Sequence, residues 1–564
     1  MKRLRWQLLV VILALIAIGV LLLAQRPTVL PGVEPVQQPI KGGVYTEGLI
    51  GTLSRLNPVL DYYNPADQDV NRLLYSSLVR FDSRGLPYGD LADRWGVSRD
   101  GKLYSISIRP DAVWHDGKPV TSQDVAFTVS LFSSDVIPLP EDLREFWKEI
   151  EVVEQDEHTL QFNLPESFAP FMDYLTFGIL PKHIWGAMTP QEIVNSKLNL
   201  QPIGSGPYQF SKLNVENERI TGVELKLFDD YFGDKPFIEQ VKFRYYPDAE
   251  TAFAGYRAGE VQGVSEITPA ILSQALKEPK FSVYTGRMFR TGLVFLNLNN
   301  PSAPFFQDAN LRRALLMGIN RQWIIDHILG GQAVLAHSPI FPESWAYYDG
   351  VEQVPFDPQA AENILKSAGY TFPAEGGAVR EKEGTQLSFE FLYPDIEPYP
   401  SIAQAIAKDW EKLGVRAELQ AVPYDELVES RLATRNYEAA LVEQNFSHSP
   451  DPDPYPFWHQ AQAASGQNYS RWDDRQASEY LEQGRVIVDL PDRARRYRNF
   501  QVRFAQEIPA LLLYYPVYSY GVDAGVQGIS IGPIGIPADR FNNIARWFLV
   551  TKTTVNTTPT PTPQ

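Results

Sequence analysis

The side chains able to do chemistry are few and scattered. Histidines stand at positions 115, 158, 183, 327, 337, 448 and 459, and no two lie three to five residues apart, so no zinc-type ligand pair is visible. There is no cysteine, which excludes disulfides, thiolate nucleophiles, zinc ribbons and Fe–S clusters. No G-x-S-x-G elbow occurs. Gly204-Ser205-Gly206 is followed by Pro207, which lacks the N–H that a phosphate cradle would use, so this reads as a tight turn. Trp114-His115-Asp116-Gly117 lies between a strand pattern and a helix cap and also reads as a turn. These observations imply no enzyme, no metal and no cofactor. A secreted hydrolase would have to assemble its catalytic groups from residues distant in sequence.

The richest stretch is NFSHSPDPDPYPFWHQ, residues 445–460. Pro450, Pro452, Pro454 and Pro456 hold it extended, so little backbone entropy remains to be lost on binding. Phe446 and Trp458 offer stacking faces, and His448, Asp451 and Asp453 offer polar contacts for amines or hydroxyls. The other reading is a rigid turn whose aspartates satisfy their own backbone. Further ligand contacts are expected from loops at element ends: Tyr62, Tyr63, Asn297 and Tyr393. Arg493, Arg495, Arg496, Arg498 and Arg503 spread over several helix faces and read as a solvated helix neutralised by nearby acids.

The elements that must position these groups belong to a large folded body. Of the 564 residues 44% are apolar and 12% aromatic, enough for sizeable cores. The formal charge of −17 repels phosphate backbones and argues against nucleic acid as a partner. Residues 8–24 are uncharged and apolar and follow Lys2, Arg3 and Arg5, as in a membrane anchor with the body outside the cytoplasm; a cleaved signal peptide is the rival reading. Residues 27–40 read as a Pro-rich spacer, and residues 552–564 as a disordered Thr/Pro tail. Within the body, VYTEGLI (44–50) and LYSISIR (103–109) read as strands, Asp67 as the cap of a helix over 68–79, and Thr121 as the cap of another. LSFEFLYP, SIAQAIAKDWEKLG and VRAELQAV (387–422) form a β-α-β pattern, so the class is α/β.

Five collinear segments resemble the family 5 extracellular solute-binding proteins, the receptors of ABC importers for peptides, nickel and oligosaccharides. They are LADRWGVSRDGKLYSISIRPDAVWHDGKPVTSQDVAFTV (91–129), PIGSGPYQF (202–210), LRRALLMGINRQWIIDHILGGQA (311–333), FDPQAAENILKSAGY (356–370) and IPALLLYYP (508–516). The resemblance implies a two-lobed fold of the periplasmic-binding-protein type (class II) with an extra subdomain in the first lobe. Lobe I then spans 41–289, with the small subdomain at about 76–200; lobe II spans 290–509, and 510–551 return to lobe I. Chain crossings are expected near 288–291 and 507–512.

The resemblance further implies an exported, monomeric receptor that closes on a solute and delivers it to a permease and its ATPases. Peptides lead as ligand class, with oligosaccharides as the alternative. Peptide-binding members place an aspartate about three residues before this D-P-D motif, where this sequence has His448. Trp458 is expected to matter more for binding than for stability.

Overall fold

Local signals written in the sequence set most of the elements. In a computed structural model, residues 36–446 and 451–554 are described. The expected anchor, most of the spacer, His448 and residues 555–564 lie outside them. Asp124 closes the start of the helix Ser122–Phe132 by accepting at Oδ2 from Thr121 N at 2.8 Å and Thr121 Oγ1 at 3.2 Å. Asp308 and Asn320 cap Ala309–Gly318 and Arg321–His327 with their side-chain oxygens. One expected helix is shifted: it runs Pro65–Leu74, because Asn64 caps it and Pro65 supplies the first-turn φ. Asp67 is turned away, accepting from Ser54 N at 2.8 Å and Arg55 N at 2.9 Å.

The β-α-β pattern folds as written. Ser388–Pro394 and Arg416–Val422 pair in parallel, with the helix Tyr399–Lys412 between them. They form one edge of a twelve-stranded mixed sheet. From that edge the order continues through Ala439–Asn445, Arg290–Leu296, Ala510–Asp523, Gly263–Val264, Val44–Ile50, Gln240–Tyr246, Arg219–Leu227 and Tyr208–Glu216. Strands Phe281–Arg287 and Ala333–Leu335 also pair with Ala510–Asp523. A separate four-stranded antiparallel sheet is made of Ala92–Val97, Leu103–Ile108, Thr159–Asn163 and Glu151–Glu154. Its apolar residues, such as Tyr104 and Phe162, share one core with Tyr45 and Leu49 of the main sheet.

The long strand Ala510–Asp523 changes partners along its length. Residues 510–516 pair with Arg290–Leu296 and Ala333–Leu335, whereas 517–523 pair with Phe281–Arg287 and Gly263–Val264. The return crossing therefore falls at Pro516–Val517, later than the expected 507–512, and residues 510–516 pack with the second half of the chain. The apolar run ALLLYY is continuous, so its sequence carries no mark of the change. Met288 N donates to the Pro516 carbonyl at 3.0 Å, so the two connecting segments lie side by side. Beyond them, one face of the second half's sheet packs Val294, Leu441 and Trp410, and the other packs Phe295, Val442 and Phe504.

The spacer and tail boundaries also need correction. Val36–Ile40 and Val550–Thr554 form an antiparallel pair, in register from Val36 opposite Thr554 to Ile40 opposite Val550. Each strand supplies the other's backbone partners from the opposite end of the chain, a pairing that local periodicity does not encode. Among the described residues no helix is long and apolar enough to cross a membrane.

One buried polar network ties the first half together. Arg540 donates to Glu47 Oε1 from Nε (2.8 Å) and Nη2 (2.6 Å), and to Asp69 Oδ1 from Nη1 (2.6 Å). Tyr45 and Tyr520 donate to Glu47 Oε2 at 2.6 and 2.9 Å. Burial pushes both carboxyls up, and the Arg540 charge opposes it. Arg540→Met would leave two buried acids without their cation. We expect a loss of about 3–5 kcal/mol in urea unfolding; a loss below about 1 kcal/mol would contradict this role.

Candidate functional site

Strand ends are where α/β sheets usually hold ligands, and here Glu266 of the first half lies within electrostatic reach of Arg290 of the second, so the strand ends between them form the candidate crevice. In the first half, Gly263–Val264 runs parallel to Val44–Ile50 and leads into Ser265 and Glu266. The Tyr518 hydroxyl donates to the Ser265 carbonyl and fixes this turn. In the second half, Ala439–Asn445 brings Glu443 to the sheet end, and Arg290 opens the antiparallel neighbouring strand.

Register places these second-half groups on one face. Arg290 lies opposite Asn445 and Gly292 opposite Glu443, so Arg290 and Glu443 are diagonal neighbours. Gly292 also lies opposite Tyr514, and a Cβ added there would meet the Tyr514 ring at 2.4 Å. The missing side chain lets that ring lie across the strand, with its hydroxyl 3.4 Å from Glu443 Oε1. Tyr399 and Tyr424 complete the group, both within electrostatic reach of Glu443 and Arg290.

The electrostatics of the crevice are unbalanced. Burial pushes the Glu443 carboxyl up, and the Arg290 charge opposes it. The same two effects act on Glu266, which neighbouring protein surrounds although its side chain stays open to water. Arg290 Nε is buried and has no hydrogen-bond partner, as are Thr291 Oγ1 and Gln444 Nε2 on the adjoining rows. Thr291 and Gln444 alternate onto the opposite face of the sheet, so on the face that carries Glu443 it is Arg290 Nε whose missing partner a polar solute could supply.

The sequence had pointed elsewhere, and most of its chosen residues support the fold. Asp451 accepts a bidentate pair from Arg493 at 2.7 and 2.9 Å, and its amide donates to Asp173 Oδ2 at 2.7 Å. Asp453 accepts from Arg485 Nε at 2.7 Å, with that guanidinium 4.1 Å over the Tyr455 ring. The arginine helix is thus not wholly solvated: Arg493 is buried, and its Nε donates to the Gly484 carbonyl at 2.8 Å. Asn297 is buried, and its amide nitrogen donates to the carbonyls of Arg435 and Tyr437, both at 3.0 Å. Tyr393 is buried against the apolar core of the second half. Trp458 is 1% exposed and packs between Phe295 and Phe504 at centroid distances of 5.9 and 4.8 Å.

Three chosen residues do reach open space. Phe446 packs edge-on against Phe341 and lines a shallow depression, about 20 Å³, with Phe289, Pro452, Pro533 and Arg84. Tyr63 is 67% exposed, and Tyr62 is half-buried beside it with ring centroids 4.9 Å apart. Burial pushes the Tyr62 hydroxyl up to about 12. His115 holds the glycine turn instead of doing acid–base work: its Nδ1 accepts from Gly204 N at 3.1 Å, and burial lowers it to about 4. A Cβ on Gly204 would meet the Leu74 carbonyl oxygen at 1.9 Å, so the turn needs its glycine for close approach.

Sequence reasoning did not single out Glu266, Arg290, Glu443, Tyr399, Tyr424 and Tyr514, which this structure groups by register and electrostatics. A usable signal was present: Glu443 interrupts the apolar run AALV at the end of a strand, where a charge has no core to serve.

The two halves also touch away from the connecting segments. Besides Asp451 on Asp173, Ser167 Oγ donates to the Val486 carbonyl at 2.8 Å and Trp345 N to the Arg84 carbonyl at 2.9 Å.

Comparison with known proteins places this geometry among related chains. Residues 87–467 match the family described as bacterial extracellular solute-binding proteins, family 5 Middle. The oligopeptide-binding protein AppA of Bacillus subtilis is 26% identical over 525 residues, covering 91% of this chain and 92% of its own. The AppA structure in complex with a nonapeptide has a TM-score of 0.65, covering 91% of this chain and all of that one. The dipeptide-binding protein of Escherichia coli is 28% identical over 506 residues, covering 84% of this chain and 89% of its own. The structure of HbpA2 from Haemophilus parasuis has a TM-score of 0.76 at 23% identity, covering 88% of this chain and 98% of that one.

Trp458→Ala would empty a core site and leave the crevice groups in place. Contrary to the expectation from sequence, we expect a loss of about 3–5 kcal/mol in thermal or urea unfolding. Unchanged stability with lost solute binding would restore Trp458 to the site.

Proposed function

This chain belongs to the family 5 bacterial extracellular solute-binding proteins, and from that premise we propose that it is the peptide receptor of an ABC importer. It captures its solute by closing two lobes and hands the solute on unchanged to a membrane permease. The observation that carries this reading is the pair of adjacent connectors at 287–290 and 516–517, which join two separately packed halves. The contacts Asp451–Asp173 and Ser167–Val486 are what closure would make, since they join groups on opposite halves.

The mechanism is a population shift. A solute touching both halves binds the closed form better than the open one and draws the equilibrium toward it. Two connectors of a few residues each can absorb such a rotation while both cores stay packed. Peptide is the ligand class favoured by the relatives, one solved with a nonapeptide and one named for dipeptides. The apolar segment at residues 8–24 would hold a monomeric receptor beside its permease and raise the local concentration there.

The test is native mass spectrometry of full-length protein released from membranes in mild detergent. We expect adducts whose masses and fragments are those of short peptides, recovered intact after denaturation. Sugar adducts, or peptides that emerge cleaved, would overturn the reading.

A further inference from the structure

Away from the connectors the two halves share a guanidinium. Arg485 stands in the last turn of the helix Arg475–Val486, and its Nε donates to Asp453 Oδ2 at 2.7 Å within the second half. The same guanidinium lies 4.1 Å from the ring centroid of Tyr455, also of the second half, and 5.3 Å from that of Phe168, which belongs to the first. Both are cation–π distances. Tyr455 is stacked on His459 at 4.1 Å, whereas Phe168 packs with Phe146 and Tyr174 at centroid distances of 5.5 and 5.7 Å. Each ring is fixed by its own half, and the arginine is the group they have in common. Hydrogen bonds flank it: Asp451 N donates to Asp173 Oδ2 at 2.7 Å, and Ser167 Oγ to the Val486 carbonyl at 2.8 Å. Gly101 allows a further close approach, since a Cβ there would stand 3.1 Å from Val488 Cγ2.

This seam is small and partly wet. Phe168, Tyr455 and Arg485 are each only half-buried, so parting them exposes neither main core. Interfaces of that kind within a chain let domains move. We propose that the seam is a latch: Arg485 held against Phe168 sets how much of the receptor is closed before a solute arrives, and so scales the affinity for every solute alike. This rests on the closing motion proposed above and not on the class of solute. A solute that needs the closed form binds with its intrinsic affinity multiplied by the closed fraction. Weakening the seam therefore lowers all affinities by one factor, whereas losing a contact to the solute lowers them unequally. Arg485 and Phe168 are positioning residues in this scheme, acting through the halves they join.

The experiment compares full-length receptor, dialysed free of solute in mild detergent, with the double variant Phe168→Leu, Ser167→Ala. Leucine keeps apolar bulk on Phe146 and Tyr174 but removes the ring from Arg485, and alanine removes the donor to Val486. Spin labels on Glu154→Cys and Glu479→Cys, exposed positions of the first and second half, report the closed population without solute. Titration with tripeptides of differing charge and size reports affinity. We expect the double variant to move the distance distribution to longer values and to weaken every peptide it binds by one common factor of about tenfold. Phe168→Tyr, which keeps a ring on the guanidinium, should match the wild type in both readouts. If Phe168→Leu lowers the melting temperature, Ser167→Ala alone carries the same two readouts with a factor of about threefold. Distances and affinities equal to those of the wild type, tighter binding by the variants, or a loss confined to some peptides would overturn the latch and leave the peptide reading standing. If the wild type binds none of the peptides, the peptide reading falls and the distance distributions decide the latch by themselves.

Discussion

A single strand, Ala510–Asp523, donates and accepts backbone hydrogen bonds on behalf of both halves of the molecule. Its first seven residues complete the sheet of the second half and its last seven that of the first, with Pro516 at the change. Proline offers no N–H to a ladder, so a strand position where one set of partners ends and another begins is a place where it costs little. Only the neighbouring segment around Met288 crosses beside it. The relative position of the halves is therefore governed by two short backbone connections, and the rest of the contact between them is by side chains and loops. Any movement that preserves both cores must pass through these two points.

The distribution of polar partners separates what holds the fold from what remains to receive a ligand. Arg540 joins a strand, a helix and the C-terminal 3-10 turn around Glu47 and Asp69 at no exposure to water. Arg493 and Arg485 lock the proline-rich loop through Asp451 and Asp453, and the Asp451 amide reaches across to Asp173. A buried pair of this kind adds little net stability over an apolar core, but removing one member is costly, so it fixes geometry. Among the described residues no ion pair within 4.0 Å joins Arg290, Glu443 or Glu266, and Arg290 and Glu443 lie at the ends of paired strands.

Much of the framework was legible in the sequence because it is written locally. Thr121 stands at the start of the helix its position suggests, and the stretch 387–422 folds as the β-α-β unit its alternation describes. What was not legible depended on partners far away in the chain. Trp458, Asp451 and Asp453 have the composition of a binding loop, and Phe295, Arg493 and Arg485, distant in sequence, supply internal partners to them that the sequence does not announce. Conversely, Glu443 and Arg290 look like ordinary strand-end charges until register sets them diagonally on one face with Glu266 beyond. The pairing of Val36–Ile40 with Val550–Thr554 joins the two ends of the described chain and has no local signature at all.

The absence of cysteine allows a direct measurement of closure, because two introduced thiols would be the only sites for spin labels. Glu154→Cys, on the small antiparallel sheet of the first half, and Glu479→Cys, on the helix Arg475–Val486 of the second, are exposed positions on opposite halves. Pulsed electron paramagnetic resonance then reads the distance between them with and without an added mixture of short peptides. The account predicts one short, narrow distance with peptide and a longer, broader distribution once peptide is removed. Identical distributions in the two states would contradict it.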